Sequence, residues 1–239
     1  MSTTKKILVF TATYNESENI VKLIESIENQ NLNLDILIID DNSPDGTAHK
    51  VEELRKIYSN LFLINRVNKQ GLDTAHKEAY KFAKDQNYDL FISMDADLSH
   101  DPNELKNFIF QLDEHPFVIG SRYIKGGKCL MKRKRLFLSK YGNLVIKYFL
   151  KIAVSEYTSS YRGFDLNKLG SFNLGQIKSK GYSFFMGTIF EISNLNIIIK
   201  EIPIVFKDRS KGHSKIPKFE IFRTVKNLII ILTKKFFIK

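Results

Sequence analysis

This sequence has little cysteine and no long apolar run. Cys129 is the single cysteine among 239 residues. One cysteine cannot build a disulfide framework or a cysteine zinc site, and such usage suits a reducing compartment. No stretch reaches the roughly 18 uninterrupted apolar residues that a membrane-spanning helix requires. The apolar run near the N-terminus breaks within a few residues, so it predicts a first strand rather than a signal peptide.

Repeats, low-complexity linkers and phosphate-loop motifs are also missing. Without a G-x-x-x-x-G-K-[ST] pattern, the sequence disfavours a phosphate-loop NTPase. A chain of 239 residues without repeats or linkers predicts one large domain, or one domain plus an appendage. Hydrophobic residues make up 43% of the chain, which is enough for a substantial core and argues against disorder.

Acidic residues are in the minority, with 26 of them against 37 lysines and arginines, for a formal net charge of +11. The basic excess is concentrated in residues 125–135, residues 207–215 and the last few residues. Such a surface fits anionic partners: nucleic acid, phosphorylated small molecules or an acidic membrane face. A generally lysine-rich composition is the alternative explanation.

Strand and helix patterns alternate through the first half of the chain. Short apolar runs predict buried strands at 6–13, 35–40, 61–65, 89–95 and 117–123. Apolar residues at helical spacing predict helices at 18–29, at 47–58, at 72–84 and around 105–112. This alternation predicts an α/β fold with a largely parallel sheet and helices on both faces.

The second half is less regular. A helix is predicted over residues 133–152, and one or two strands over 196–209. The helix carries an apolar stripe of Phe137, Tyr141, Leu144, Tyr148 and Ile152. Residues 219–238 predict a basic amphipathic helix, which would lie in a membrane interface, pack onto the domain or bind a partner subunit.

Acidic residues gather where predicted strands end. Asp95 and Asp97 follow the fourth strand, and carboxylates that close together repel unless a counter-ion is present. From an extended turn both side chains can reach one point, and Mg²⁺ or Mn²⁺ is the natural cation for such oxygen ligands. The alternative is a solvated loop in which Asp101 starts the next helix.

Two other strand ends carry polar groups. Asp40 and Asp41 end the second predicted strand, where acids can accept hydrogen bonds from a nucleobase N–H or ribose hydroxyls. Tyr14 and Glu16 follow the first strand and offer stacking and a hydrogen bond, although turn chemistry explains each motif alone. Ligands of parallel sheets bind where strands end, so we expect these residues and Arg122 along one rim.

In this order the motifs resemble those of family 2 glycosyltransferases, and more narrowly the dolichol-phosphate (polyprenol-phosphate) mannose synthases. The similarity runs from about residue 6 to about residue 217. It is carried by "TYNE", "DDNSPDGT", "MDADLSHDP", "GSRY", "KRLFLSKYGN", "YTSSYRGF" and "EIPIVFKDRSKGHSK". The resemblance implies a Rossmann-like GT-A catalytic domain over residues 1–217, followed by an amphipathic helix over 218–239 that binds a membrane surface or a partner.

The resemblance also implies an activity and its partners. A hexose, with mannose as the leading candidate, would pass with inversion from a nucleotide sugar such as GDP-mannose or UDP-glucose to a polyprenyl phosphate. Mg²⁺ or Mn²⁺ would be the cofactor. The protein would be peripheral on the cytoplasmic face of a membrane, with room for a small membrane partner subunit and no role in nucleic acid binding.

Site residues follow from the matched motifs. The nucleotide-sugar site would comprise Ala12, Tyr14, Glu16, Ile39, Asp41, Asp95, Ala96, Asp97, Arg209 and Lys215, and the acceptor phosphate would meet Arg122, Arg135 and Ser139. Asp95 and Asp97 would hold the metal, and together with Arg122 and Arg209 they would form the catalytic set. Since a lipid monophosphate is already an anion near neutral pH, such an enzyme needs no strong general base.

Departures from the family pattern keep alternatives open. Asp73 stands where glycine is usual, Glu156 where aspartate is common, and Phe185 and Gly187 where glutamine and glutamate are frequent. Glu156 could then be the base for a hydroxyl acceptor on a glycan or a small molecule. A non-catalytic basic module that binds membrane or nucleic acid is the remote alternative, because acids at strand ends would repel phosphate backbones. The histidines form no metal pattern and are expected on the surface or behind the site.

Overall fold

The computed structural model describes residues 5–208 and 220–237. Strands within these ranges are β1 (Ile7–Thr13), β2 (Asp35–Asp40), β3 (Leu61–Asn65), β4 (Leu90–Ser93), β5 (Phe117–Ser121), β6 (Lys128–Cys129), β7 (Arg162–Asp165), β8 (Ile199–Pro203) and β9 (Val205–Phe206). Helices are α1 (Ile20–Glu28), α2 (Thr47–Arg55), α3 (Leu72–Asp85), α4 (Leu105–Leu112), α5 (Arg133–Leu150), α6 (Ser183–Asn194) and α7 (Glu220–Phe237).

Seven strands form the central sheet, in the order β3-β2-β1-β4-β7-β5-β8. Neighbours run parallel except β7, which is antiparallel to both β4 and β5. Side chains of β1 alternate between two apolar clusters, one under α1, α2 and α4 and the other under α3, α5, α6 and α7. The predicted α/β fold with a mostly parallel sheet and helices on both faces is therefore confirmed.

The rim that carries the polar residues lies at the carboxyl ends of β1, β2, β4 and β5. Thr13 of β1 is in register with Asp40 of β2, and Phe10 of β1 with Ser93 of β4. The chain leaves the sheet just beyond these positions, so the motifs after each strand emerge on the same edge. This arrangement follows from parallel pairing, because parallel strands present the same ends to one side.

Two buried elements escaped prediction. Strand β7 is short and contains Gly163, whose position leaves no room for a side chain against Leu112 and Phe108. Helix α6 is buried on nearly all sides, so it lacks the polar face by which an amphipathic helix is recognised. Both elements insert the second half of the chain into the fold that the first half begins.

Helix α5 presents its apolar stripe outward. Phe137, Tyr141, Leu144 and Tyr148 are 50–76% exposed, whereas Asn143, Ile146 and Leu150 face the interior. The spacing correctly predicted that these residues share one face of α5. It could not predict whether that face is buried, because periodicity does not show what packs against it. The outward stripe needs a partner or an apolar medium.

Helix α7 packs onto the domain. Leu228 and Ile231 are buried in the larger apolar cluster, and Asn227 Nδ2 donates to Ser183 Oγ over 2.7 Å. Burial of two such side chains contributes about 1.5–3 kcal/mol each. Of the three locations that the sequence left open for this helix, packing onto the domain is the one observed. A boundary at residue 217 stays a prediction.

His76 lies inside the core on α3, between the rings of Phe10, Phe184 and Phe185 at centroid distances of 5.0–5.7 Å. Burial, with a smaller contribution from the charge of Arg162, lowers the pKa of His76 from 6.5 to about 3. The imidazole is therefore neutral in the folded protein at physiological pH. The expectation of a surface or supporting histidine is wrong here, since His76 is a core residue.

We predict that His76 makes folding stability depend on pH below 6.5. In the unfolded chain His76 takes up a proton near its ordinary pKa of 6.5. In the folded chain it does so only near pH 3. The unfolding free energy therefore falls with falling pH, by up to about 1.4 kcal/mol per unit from this group. In His76→Phe, urea unfolding between pH 7 and 5 should show a flatter dependence than wild type. Exposed His49→Gln is the control, and equal slopes in His76→Phe and wild type would contradict the prediction.

Candidate active site

The acidic turn after β4 is fixed to its surroundings from both sides. The Met94 amide donates to the carbonyl of Phe10 over 3.0 Å, which extends the β1–β4 pairing to the threshold of the turn. Ser160 Oγ donates to Asp95 Oδ1, and Ser99 Oγ donates to Asp97 Oδ1. Neutral hydroxyl donors thus orient two carboxylates that would otherwise repel each other.

His100 lies directly behind this turn, fully buried. Its Nδ1 accepts the amide hydrogen of Asp95 over 3.0 Å and lies 3.8 Å from Asp95 Oδ2. Burial lowers the pKa of His100 despite the opposing effect of the two aspartates, so the ring is neutral and Nδ1 keeps the lone pair that this bond requires. His100 therefore supports the acidic turn. The sequence predicted histidines either on the surface or behind the site, and His100 lies behind it.

The donor set of the turn suits a hard divalent cation. Asp95 and Asp97 both line the cavity described below, and their oxygen ligands match Mg²⁺ or Mn²⁺ rather than a softer metal. Within residues 5–208 and 220–237, no group of three or more His, Cys, Asp or Glu side chains is arranged to hold a metal ion. Asp95 and Asp97 would hold such a cation, and water and substrate phosphates would supply its other ligands, as is usual for Mg²⁺.

Arg122 and Glu156 form a buried, forked ion pair beside the acidic turn. Arg122 Nε and Nη2 each donate to one Glu156 oxygen over 2.7 Å. Glu156 Oε1 also accepts from Thr158 and from the Ser159 amide. Burial alone would raise the pKa of Glu156, but the charge of Arg122 and these hydrogen bonds hold it below the ordinary value. The pair also raises the pKa of Arg122, so both groups are charged.

Glu156 cannot serve as the base for a hydroxyl acceptor. Its side chain is fully buried, it does not line the cavity, and both oxygens already accept hydrogen bonds. A carboxylate with a lowered pKa is also a weaker base than an ordinary one. The base role that its sequence position allowed is therefore wrong, and Glu156 instead sets the position of Arg122.

A cavity of about 710 Å³ joins the polar groups to an apolar passage. At one end lie Asp95, Asp97, His100, Arg122, Ser159 and Ser160, and Arg135 and Ser139 line the wall formed by α5. The remaining wall is mostly apolar, and α5 and α7 contribute much of it, with Phe137, Leu138, Val145, Ile146, Val225 and Leu228 among its residues. The structure thus collects the predicted metal and acceptor-phosphate residues around one space.

Arg135 and Ser139 reach this space from the first turns of α5. Arg135 Nη1 pairs with Asp208 over 2.9 Å, and both side chains remain about one third exposed. Ser139 Oγ accepts from the Tyr123 hydroxyl over 2.7 Å. Neither residue is locked into the core, so both can turn toward an anion that enters the cavity.

The predicted nucleotide residues on and just after β1 and β2 lie farther along the rim and do not line this cavity, whereas Asp95 and Asp97 of the same predicted set do. Ala12 and Ile39 are register partners in β1 and β2, and Asp41 is bound to β1 through its amide and the carbonyl of Thr13 over 2.9 Å. Tyr14 carries the Lys69 ammonium 3.5 Å from its ring centroid. Glu16 is buried and accepts from Asn19. Arg209 and Lys215 lie outside the described residues.

Arg66 supports this second part of the rim, although no sequence motif indicated it. Its guanidinium donates to Asp41 Oδ1 over 2.8 Å and to Glu78 over 2.6 and 2.9 Å. Asp41 Oδ2 accepts the Gly71 amide over 2.8 Å, so both of its oxygens are held. The only sequence signal was an arginine immediately after the predicted strand 61–65, which is a weak one.

The departures from the family pattern have structural explanations. Asp73 Oδ1 accepts the Gly181 amide over 3.0 Å and so ties α3 to the start of α6. Phe185 lines the cavity and packs against buried Arg162. At Gly187 a Cβ would lie 2.8 Å from Ser179 Oγ, so a glutamate would not fit unless the Ser179 side chain moved.

We predict that Glu156→Gln destabilises the fold by about 3–5 kcal/mol, because it leaves the buried charge of Arg122 without its counter-ion. Urea unfolding of the purified variant measures this. The double variant Arg122→Met/Glu156→Gln should lose less stability than the sum of the losses in the two single variants, because it leaves no unpaired charge. Unchanged stability of Glu156→Gln would contradict the buried pair.

Comparison with known proteins places this geometry in a family. Residues 8–170 match the family model for glycosyl transferase family 2. The chain is 31% identical over 211 residues to an undecaprenyl-phosphate mannosyltransferase of Micrococcus luteus, covering 88% of this chain and 87% of that protein. It is 32% identical over 215 residues to a polyprenol monophosphomannose synthase of Mycolicibacterium smegmatis, covering 89% and 81%.

Solved structures share the fold. A glucosyl-3-phosphoglycerate synthase from Mycobacterium tuberculosis, in complex with Mn²⁺, UDP and glucosyl-3-phosphoglycerate, aligns with a TM-score of 0.65 at 16% identity, over 96% of this chain and 79% of that chain. A mannosyltransferase from Pyrobaculum calidifontis, in complex with GDP-Man and Mn²⁺, aligns with a TM-score of 0.61 at 20% identity, over 98% of this chain and 65% of that one. These similarities show a GT-A fold.

Proposed function

From the premise that this chain belongs to glycosyltransferase family 2, we propose that it transfers mannose from GDP-mannose to a polyprenyl phosphate. The names of its relatives from Micrococcus luteus and Mycolicibacterium smegmatis support both the sugar and the class of lipid. UDP-glucose is the alternative donor, since one structural neighbour is bound to UDP and another to GDP-Man.

The observation that carries the proposal is the two-part character of the cavity. Its polar end holds Asp95, Asp97 and Arg122, and most of the residues on its α5 and α7 walls are apolar. A phosphate head at the polar end and an isoprenoid chain along the apolar walls would match both parts. A hydroxyl acceptor on a glycan would leave the apolar walls without a partner and, with Glu156 engaged, would lack that residue as a base.

The proposed chemistry is a displacement at the anomeric carbon of the donor sugar. An oxygen of the acceptor phosphate attacks the anomeric carbon, the bond from that carbon to the diphosphate breaks, and its electron pair leaves with the nucleoside diphosphate. A divalent cation held by Asp95 and Asp97 would supply the positive charge that stabilises this leaving group. A single in-line displacement inverts the anomeric configuration, and a product that retains the donor's configuration would argue against it.

Arg122, Arg135 and Ser139 are the proposed acceptor-phosphate residues. Glu156 engages Nε and Nη2 of Arg122, which orients the guanidinium and offsets most of its charge. Arg135 would then provide the more adaptable positive charge, because it is partly exposed in its pair with Asp208. Such arginines bind phosphate in forked geometry without acting as acids or bases.

The exposed stripe on α5 supports an encounter with membranes. Phe137, Leu138, Tyr141 and Val145 line the cavity and are also 49–62% exposed, so the apolar passage opens onto an apolar surface. Among the helices described, none is long and apolar enough to cross a bilayer. We infer a peripheral protein that draws its acceptor from the membrane interface.

A transfer assay tests the donor and the acceptor together. Purified protein with Mg²⁺ or Mn²⁺ and a polyprenyl phosphate should move label from GDP-mannose into the organic phase, and less from UDP-glucose. Asp97→Asn should lower the rate by about 10²–10³-fold through loss of electrostatic stabilisation. Exposed Asp85→Asn is the matched control. Metal-dependent nucleotide release without lipid label would favour the hydroxyl-acceptor alternative.

Gly142 on α5 offers a selective test of the apolar passage, because it lines the cavity and an added Cβ would meet nothing within 4 Å. Gly142→Trp should raise KM for long polyprenyl phosphates at least about tenfold, or about 1.4 kcal/mol, while leaving the Kd for the nucleotide sugar unchanged. The effect should shrink for a short-chain phosphate. Gly142→Ala is the control and should stabilise the helix by about 0.5–1 kcal/mol. An unaltered KM in the Gly142→Trp variant would contradict binding of the lipid chain in this passage.

A further inference from the structure

A second cleft, of about 470 Å³, lies on the other side of α7 from the active-site cavity. It is formed by the segment before α6 and by α7, and its lining residues are Lys178, Lys180, Phe222, Arg223, Lys226, Asn227 and Ile230. Four of these side chains are cationic. None of the predicted site residues that the structure describes lies in it, and the proposed transfer reaction assigns this cleft no role.

The charge of the cleft is of one sign. Lys178, Lys180 and Lys226 are exposed, and no carboxylate lines the cleft in the described part of the chain. The carboxylate of Glu191 on α6 is paired with Lys234 of α7, and neither residue is among those that line the cleft. Several ammonium groups around one concave surface repel each other, and an anion between them relieves that repulsion.

The cleft is separated from the active site by the thickness of α7. Thr224, Val225 and Leu228 of this helix line the active-site cavity, whereas Arg223, Lys226 and Asn227 face the cleft. Asn227 also donates to Ser183 at the start of α6, so the floor of the cleft is anchored to the domain. An anion bound here would therefore contact the back of the helix that forms one wall of the apolar passage.

Apolar side chains surround the cationic groups. Phe222 lines the cleft and is 73% exposed, Ile230 lines it at 43%, and Ile229 beside it is 57% exposed. Cationic groups that alternate with exposed aliphatic and aromatic side chains along one helix match the interface of a bilayer, where phosphates lie just above acyl chains.

We propose that this cleft binds the phosphate headgroup of an anionic membrane lipid, at a site distinct from the one for the acceptor phosphate. Bound lipid holds α7 at the membrane interface with its other face toward the apolar passage. A free phosphate ion would satisfy the lysines but would leave Phe222 and Ile230 in water, so the headgroup of an embedded lipid is the better occupant. The proposal goes beyond the transfer reaction, because it concerns a site that the reaction does not use.

Vesicle binding tests the proposal without donor or acceptor. The full-length protein is sedimented with vesicles of phosphatidylcholine alone or with one third phosphatidylglycerol, at low and at raised salt. The test variant combines Lys178→Ala, Lys180→Ala and Lys226→Ala. The control variant combines Lys22→Ala, Lys84→Ala and Lys106→Ala, which removes the same charge from exposed positions on α1, α3 and α4. Circular dichroism and melting temperature establish that both variants fold.

The wild type should prefer anionic vesicles, and the test variant should lose about fivefold in partitioning for each lysine removed, while the control variant loses little. Raised salt should weaken the wild type most. Equal partitioning of the two variants would overturn the proposal. So would displacement by millimolar inorganic phosphate without any preference for anionic vesicles, which would mean a free-phosphate site. Because the assay contains no nucleotide sugar, an inactive transferase that still shows this preference would contradict the proposed function alone.

Discussion

The repulsion between two carboxylates at the end of one strand is the constraint on which the rest of the site depends. Asp95 and Asp97 must both face a cavity, and each needs a neighbour that holds it there. Ser99 and Ser160 supply hydroxyl donors, and His100 accepts the Asp95 amide from behind. These three partners are neutral, so their hydrogen bonds orient the carboxylates without neutralising them, and in the proposed function a divalent cation would offset the negative charge.

The antiparallel strand β7 brings the second half of the chain to this turn. It pairs with β4 from Leu90 to Ser93, and the segment that leads into it carries Glu156, Thr158, Ser159 and Ser160. Arg162, at the start of the strand, is buried and donates to the carbonyls of Ser159, Tyr157 and Phe185. One guanidinium therefore links the loop behind the acidic turn to α6. Burial lowers its pKa to about 9, although the negative charge of Glu156 opposes this shift.

The two arginines near the cavity illustrate how burial decides a residue's role. Arg122 is enclosed with Glu156 in a forked pair, which makes it rigid and nearly neutral as a unit. Arg135 is a partly exposed residue on α5 that pairs with the equally accessible Asp208. In the proposed function, the rigid pair would define the shape of the phosphate site, and the adaptable cation would follow an acceptor that arrives from a membrane. Helices α5 and α7 both line the cavity and also carry exposed apolar side chains.

The sequence by itself determined the parallel part of the fold and the position of the acidic turn. Strands that are buried on both faces read as continuous apolar runs, and polar motifs after them must emerge on one rim. Its motifs also carried the resemblance to family 2 glycosyltransferases, because Asp95, Asp97, Asp41 and Arg122 occur in a characteristic order. None of these inferences required knowledge of contacts between distant segments.

Tertiary structure alone decided which of these groups remain available. Glu156 looked like a candidate base until Arg122, 34 residues away, was found to engage both of its oxygens. The role of Arg66 depends on its contact with Asp41. Helix α6 could not be predicted from periodicity, because it is buried on nearly all sides and has no polar face. The outward stripe of α5 and the basic cleft beside α7 likewise depend on what lies next to each helix. Pairing across the sheet and burial by distant segments are long-range properties, and local patterns of residues do not encode them.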